Sequence, residues 1–463
     1  MELLKNPGSF RDPAGQIYKY KNRILRIVKK QGKGRYEYLK QQNIIEKSID
    51  NNFLISTKEV NKEFSNLKID DACYYLEHEK LDYISYPYEW SFFQLKAAAL
   101  HHLNFQIFLL DQDIILIDSS AYNIQFINHK PIFIDVLSLE KYNEGDYWKG
   151  HSQFLQQFLN PLLLRSIKGI QFNEWYKGNL DGIKTSDLND LLSLKDKISF
   201  NIFFSVVLLS KLEKQNKIDP KQALKKIKTK KSLSKNSYKS MLIQLKNWIE
   251  RLEPLKKKTV WDTYSNDNTY EKKQEQHKLE LVNNFSKLHK PKIIADIGCN
   301  DGKYSFESLK AGAHKAIGFD IDINSIDRAY SEAVKKNSNF LPLYFNAMNP
   351  SSKLGWNEDE RESFADRAKF DAVIALAIEH HLALANNVPL EQVIQWLMRI
   401  APIGLIEYVD KEDETVKKML SLKGDIFPDY NKENFERNIL SNGSIVNKID
   451  ISSTRILYEF KKN

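Results

Sequence analysis

The period of apolar and polar positions changes several times along the chain. Gln16–Tyr20 and Arg23–Val28 are short runs separated by Lys21-Asn22, which predicts two strands joined by a tight turn. From Ser91 to Leu110 (SFFQLKAAALHHLNFQIFLL) apolar residues recur at three- and four-residue spacing, the mark of a helix. The apolar run Ile114–Ile117 reads as a strand ending at Asp118. Asn123–Ile127 and Pro131–Asp135 read as the arms of a hairpin turning at Asn128-His129. Helical patterns dominate from Trp148 to Leu212, and Leu242–Leu252 also reads as a helix.

Beyond Trp261 the pattern becomes regular. A helix over 270–288 leads into strands at 293–297, 316–320, 340–345, 371–376 and 403–409, with helices between them. Such alternation predicts a parallel sheet covered on both faces. The final runs, Ser444–Ile449 and Arg455–Phe460, predict a closing antiparallel hairpin, which makes seven strands. The fold class is therefore α/β, a Rossmann-like domain over 259–463, preceded by an α+β accessory domain over 1–210 and a basic helical linker over 211–258.

Charge sharpens that division. The chain carries +9 over 463 residues. Between Lys211 and Lys258 fifteen Lys and one Arg stand against Glu213, Asp219, Glu250 and Glu253, a surplus of +12, so the remainder carries −3. A concentrated basic segment can face nucleic acid, anionic lipid or an acidic glycan. Aromatics there are limited to Tyr238 and Trp248, which favours a solvated linker. The two cysteines, Cys73 and Cys299, form no disulfide or metal pattern, so a cytoplasmic setting and no metal are expected. The opening MELLKNPGSF has no apolar core of the signal-peptide kind. The longest apolar stretch, Phe200–Leu209, contains Asn201 and Ser205 and is too short to span a bilayer.

The candidate chemistry starts at IIADIGCNDGKYSF, Ile293–Phe306. An apolar strand delivers Asp296, then Gly298, Asn300 and Gly302. A second strand delivers Asp320, whose carboxylate can grip a ribose diol. Asp296 before the loop, and Asn300 where a dinucleotide site has its middle glycine, favour S-adenosylmethionine (SAM) over a dinucleotide. Asp296 can meet the methionine amino group, and the two glycines let backbone approach the ligand. Asn346, after the third strand, can accept the adenine amino group or simply close a loop. After the fourth strand, Glu379, His380 and His381 emerge towards the reactive methyl. Adjacent residues opening a helix cannot both face it, so one histidine turns inward. A histidine is a suitable base for a hydroxyl nucleophile, and Glu407 is a further pocket-facing candidate.

The first half holds a second constellation. Asp118 and Asn123 have the D-x-x-x-x-N spacing of a kinase catalytic loop, and the hairpin carries Asp135 to the place of a metal-binding Asp. No glycine-rich loop precedes them, no V-A-I-K-type lysine is evident, and LID stands in place of HRD. This predicts a kinase-like fold with little or no phosphotransfer.

Both halves resemble a bacterial family of two-part SAM-dependent methyltransferases that includes a rhizobial host-specificity nodulation protein. The resemblance covers nearly the whole length. It rests on SFRDPAG, YPYEWSFFQLKAAAL, SSAYNIQFINHKPIFIDVLSLE and QFLNPLLL in the first half, and on VWDTY, DIGCNDGKYS, GFDID, NPSSKLGWNEDER, HHLALANNVPL and DIFPDY in the second. It implies a class I methyltransferase with cofactor contacts at Asp296, Gly298, Gly302 and Asp320. The family pattern has an acid where Asn346 stands. The expected function is O-methylation of a carbohydrate, lipo-oligosaccharide or small metabolite. The rivals are a nucleic-acid methyltransferase using the basic segment and a non-catalytic SAM-binding scaffold.

Overall fold

The structure, a computed structural model, describes residues 3–64, 69–211, 233–255 and 272–463. Most of the basic run, including Lys225, Lys226, Lys228, Lys230 and Lys231, lies outside the described residues, as do VWDTY and the expected domain start near Trp261. The chain forms two compact units. One comprises 1–127, 131–257 and 354–361, and the other 128–130, 258–353 and 362–463.

In the first unit, β1 (Leu3–Lys5), β2 (Gly15–Tyr20), β3 (Arg23–Lys29), β4 (Thr57–Glu59) and β5 (Ala72–His78) form an antiparallel sheet of order β1-β2-β3-β5-β4. Lys21 takes a left-handed φ of 53° in the β2–β3 turn, and Tyr20 pairs with Arg23 across it. A helix, Lys30–Gln41, follows β3.

The long helix Phe92–Asp111 starts at a capping box in which Ser91 and Gln94 exchange backbone hydrogen bonds. Phe92, Leu95, Ala99 and Leu103 are among its buried residues, at the spacing read from the sequence. Then come β6 (Ile114–Leu116), the hairpin β7 (Ile124–Ile127) with β8 (Lys130–Phe133), and β9 (Leu139–Lys141), which pairs with β6.

One helix is longer than the pattern indicated. It spans Lys235–Glu250 rather than starting at Leu242, because the Ser234 hydroxyl caps it at Ser237 N–H and Tyr238 is buried with Leu242 and Ile249. Gln106 Nε2 donates to Tyr238 Oη at 2.9 Å. This part of the basic segment thus packs within the first unit.

The second unit is one seven-stranded sheet made of β10 (Ile293–Ile297), β11 (Lys315–Asp320), β12 (Phe340–Tyr344), β13 (Ala372–Ala375), β14 (Ile403–Val409), β15 (Gly443–Ser452) and β16 (Arg455–Lys462). Its order is β12-β11-β10-β13-β14-β16-β15. The first five strands run parallel, and β16 pairs antiparallel with both β14 and β15. β10, β12 and β13 have no exposed position, as befits strands covered on both faces. Ile294, Ala316, Phe340, Ile374 and Leu405 form the core with Val282 and Phe285 from the helix Lys272–His289.

Candidate active site

Strand order reverses between β10 and β13: β11 and β12 extend the sheet on one side, β13 and β14 on the other. Ligands of open α/β sheets sit beyond the carboxyl ends of the strands at such a point. The site residues expected in this unit lie at the end of β10, β11, β12 or β13 or in the loop that follows it, except Glu407, which lies within β14 and is fully buried against Lys278 rather than facing a pocket.

The loop after β10 enters the left-handed region three times, at Gly298 (φ 80°), Asn300 (49°) and Gly302 (86°). Asn tolerates that conformation better than most residues with a Cβ. Gly302 needs to be glycine for a second reason, since a Cβ there would collide with the Phe340 ring. Gly298 N–H and Cys299 N–H both donate to the Phe319 carbonyl, at 2.8 and 3.2 Å, which pins the loop to β11.

Asp320 is held from two sides. Asn300 N–H donates to its Oδ2 and Asp322 N–H to its Oδ1, both at 2.8 Å. Each oxygen keeps further acceptor capacity for a diol. Burial pushes this carboxyl up to about 6, which leaves it mainly ionised at neutral pH. Asp296 is buried and accepts the Ser305 hydroxyl at 2.6 Å; burial pushes it up to about 7. A cationic amino group beside Asp296 would restore the carboxylate. Asn346 Oδ1 accepts Met348 N–H at 3.0 Å, so the oxygen considered for adenine already closes a local turn.

β13 ends in a strained turn. Ala377 sits at φ 52°, a conformation that costs of order 1 kcal/mol or more for a residue with a Cβ. A π-helical turn, His381–Ala385, follows. Glu379 and His380 have no exposed surface, whereas His381 is half-buried. His380 is thus the histidine turned inward, with its ring centroid 4.3 Å from that of His381. Burial lowers both histidines, His381 to about 4, so both are neutral imidazoles at physiological pH. Glu379 Oε1 accepts Val409 N–H at 2.9 Å and Tyr430 Oη at 2.8 Å. Burial pushes Glu379 up to about 8, so it is mainly protonated at pH 7.

Sequence reasoning missed the charges beneath this turn. Lys278 Nζ lies 2.5 Å from Glu407 Oε1, and both side chains are inaccessible. Arg455 Nη1 reaches the same oxygen at 3.4 Å and grips Asp413 with Nε and Nη2 at 2.7 and 3.0 Å. One signal was available: Lys278 falls on the helix stripe that also carries Val282, Phe285 and Ser286, where a lysine must find a counter-ion.

Around this turn four buried atoms have no hydrogen-bond partner among the described residues: Glu379 Oε2, Glu407 Oε2, and Nδ1 and Nε2 of His380. Buried polar groups are normally satisfied, so this set fits a polar ligand. Bound SAM would supply a methyl group made electrophilic by its sulfonium. The chain would contribute Asp320 to the ribose, Asp296 to the amino group, and a neutral imidazole to take a proton from the acceptor.

In the first unit the second constellation comes together. Asn123 Nδ2 donates to Asp118 Oδ2 at 3.1 Å. Asp118 is pushed up by burial and by the charge of Asp135, which places the two acids within electrostatic reach. Sequence reasoning overlooked Arg26 on β3, whose Nη1 lies 2.5 Å from Asp135 and 3.3 Å from Asp12. Its signal was an arginine inside the apolar run RILRIV.

Strand order, glycine loop and the Asp320 carboxylate together define a class I, SAM-dependent methyltransferase. The particular family follows from likeness over the full length. The chain is 43% identical to nodulation protein NoeA of Rhizobium meliloti (strain 1021) over 458 residues, 98% of this chain and 96% of that protein, and it belongs to the same family. A shorter match, 33% over 106 residues, links it to a tRNA U34 carboxymethyltransferase of Helicobacter pylori (strain G27), covering 22% of this chain and 36% of that one. No protein-family model matches.

Among solved structures, the N-methyltransferase NodS of Bradyrhizobium japonicum WM9 with S-adenosyl-l-homocysteine is 12% identical over 44% of this chain and 91% of its own, with a TM-score of 0.31. Magnesium protoporphyrin IX methyltransferase of Synechocystis PCC 6803 with bound SAM is 18% identical over 41% and 80%, with a TM-score of 0.30. These likenesses are loose, and the class rests on the strand order and the loop.

Proposed function

We propose that the chain methylates a hydroxyl of a carbohydrate, lipo-oligosaccharide or small polar metabolite in the cytoplasm. The observation that carries this is the acceptor side of the site: His381, half-buried at the turn after β13 and a neutral imidazole at physiological pH. A hydroxyl acceptor supplies a proton to that imidazole. The turn after β13 (AIEHHL) has no N-P-P-Y-type loop, which disfavours a nucleic-acid acceptor. The deciding experiment incubates the protein with methyl-labelled SAM and cell fractions. Label in glycan or polar metabolite is expected; label confined to RNA or DNA would overturn the acceptor assignment.

The cofactor assignment has its own test. Asp320→Ala should weaken SAM binding by about 1.5–3 kcal/mol in calorimetry, the loss of charge-assisted hydrogen bonds. An unchanged affinity in a folded variant would remove Asp320 from the ribose.

We read the first unit as kinase-like. The support is the sheet order β1-β2-β3-β5-β4 with a helix after the third strand, and the later sequence of long helix, Asp118, Asn123, hairpin and Asp135. Phosphotransfer is expected to be weak or absent, because the Asp135 carboxylate is already taken by Arg26, Leu137 N–H and the Ser138 hydroxyl. ATP hydrolysis by the full chain that disappears in Asp135→Ala would show the reverse.

A further inference from the structure

The largest concentration of exposed apolar side chains lies in the first unit, far in sequence from either constellation. Of twenty-one large hydrophobic residues exposed among the described residues, six fall within fifteen positions: Leu194, Ile198, Phe200, Phe203, Phe204 and Leu208. Leu194 is 84% exposed, Ile198 81% and Phe200 73%. Leu194 sits on the short helix Leu194–Lys197 and Ile198 just beyond its end; Phe200 opens a second helix, Phe200–Ile202, that continues as a π-helical turn over Phe203–Leu208.

The segment is seated from its other side. Ile202, Val206 and Val207 are buried, and Lys168 Nζ anchors Asp196 at 2.6 Å. The outward aromatics pack on one another, with ring centroids 4.6 Å apart for Phe200–Phe204 and 5.4 Å for Phe203–Phe204. Exposure above four-fifths belongs to a projecting turn rather than the wall of a groove. A cluster of this size on a water-facing surface marks an interaction site.

Charge identifies the occupant. Lys195 and Lys197 flank Leu194 and Ile198, while the acid between them, Asp196, is neutralised by Lys168. Apolar tips with a lysine collar are the chemistry of a membrane interface, in which aromatic and aliphatic side chains enter the headgroup region and lysines meet anionic lipid. Protein–protein interfaces, by contrast, are depleted in lysine. No helix among the described residues is long and apolar enough to cross a bilayer, so the attachment is to the surface.

We propose that Leu194, Ile198, Phe200 and Phe204, with Lys195 and Lys197, dock this protein on an anionic lipid bilayer. The test sediments the full chain with sucrose-loaded vesicles of phosphatidylcholine, with and without phosphatidylglycerol. Binding is expected only with phosphatidylglycerol and should weaken as salt rises. The variant L194S/I198S/F200S should bind about tenfold more weakly or worse, with an unchanged thermal melt because all three side chains are exposed. Equal binding by wild type and variant, or no binding of the wild type to phosphatidylglycerol vesicles, overturns the proposal. So does a wild type that ignores vesicles but dimerises in analytical ultracentrifugation, with the variant monomeric; the face would then join two copies of the chain.

Discussion

His381→Ala is expected to lower methyl turnover by about 10²–10⁴-fold while leaving SAM affinity nearly intact, as removal of a general base does. His380 is fully enclosed and His381 is not, so an acceptor can reach only the second ring without moving the turn. Burial holds His381 at about 4, with the charge of Arg455 adding to the effect, so its proton-accepting form is present throughout the physiological range. At saturating SAM, whose contacts hold Asp296 and Asp320 ionised, turnover should therefore stay level as pH falls from 7 and drop only near pH 4, not near the 6.5 of an ordinary histidine.

Outcomes are separable. If His380→Ala carries the loss instead, the inward ring is the base. If both variants keep near-full turnover, neither is, and a water becomes the candidate. If SAM affinity collapses in either variant, the histidines form part of the cofactor shelf, and the acceptor need not be a hydroxyl.

Lys278→Met is expected to destabilise the second unit by about 3–5 kcal/mol. The cost is that of leaving an uncompensated charge on the inaccessible Glu407, more than that of losing one contact. Burial already lowers Lys278 from its ordinary range, and the nearby Glu407 charge only partly restores it. Arg455 remains at 3.4 Å but is committed to Asp413. The second substitution Glu407→Leu, added to Lys278→Met, should recover most of the loss, because an apolar pair replaces the buried ions. Amide exchange of β10 and β14 reads the effect for this unit separately from the first. A loss below about 1 kcal/mol in the single variant would mean that water reaches the pair.

What the sequence revealed and what it concealed have separate physical causes. The seven strands of the second unit were legible because each is a short apolar run between turn residues, and a strand buried on both faces can hardly be written otherwise. Asp296, the glycine loop and Asp320 were legible because a local strand–loop–strand unit fixes their spacing. The charges under the histidines were not. Lys278 and Glu407 are 129 positions apart, and Arg455 is 48 beyond Glu407, so only tertiary structure brings them together. Arg26 escaped in the same way, since its partner Asp135 lies 109 positions on. The helix Lys235–Glu250 was found short because its lysines disguised a buried stripe of Tyr238, Leu242 and Ile249.

The placement of β16 between β14 and β15 bears on how the chain is made. β14 has one edge paired with β13 and the other with β16 alone, and β16 also carries Arg455 into the buried ion cluster. Until the ribosome has synthesised residues 455–462, β14 presents an open edge, and Glu407 lacks one of its two cations. The sheet therefore cannot close while its carboxyl-terminal strand is still in the exit tunnel. Folding of this unit must then finish after translation has passed β16, and the nascent open edge is the stretch that a chaperone would need to shield.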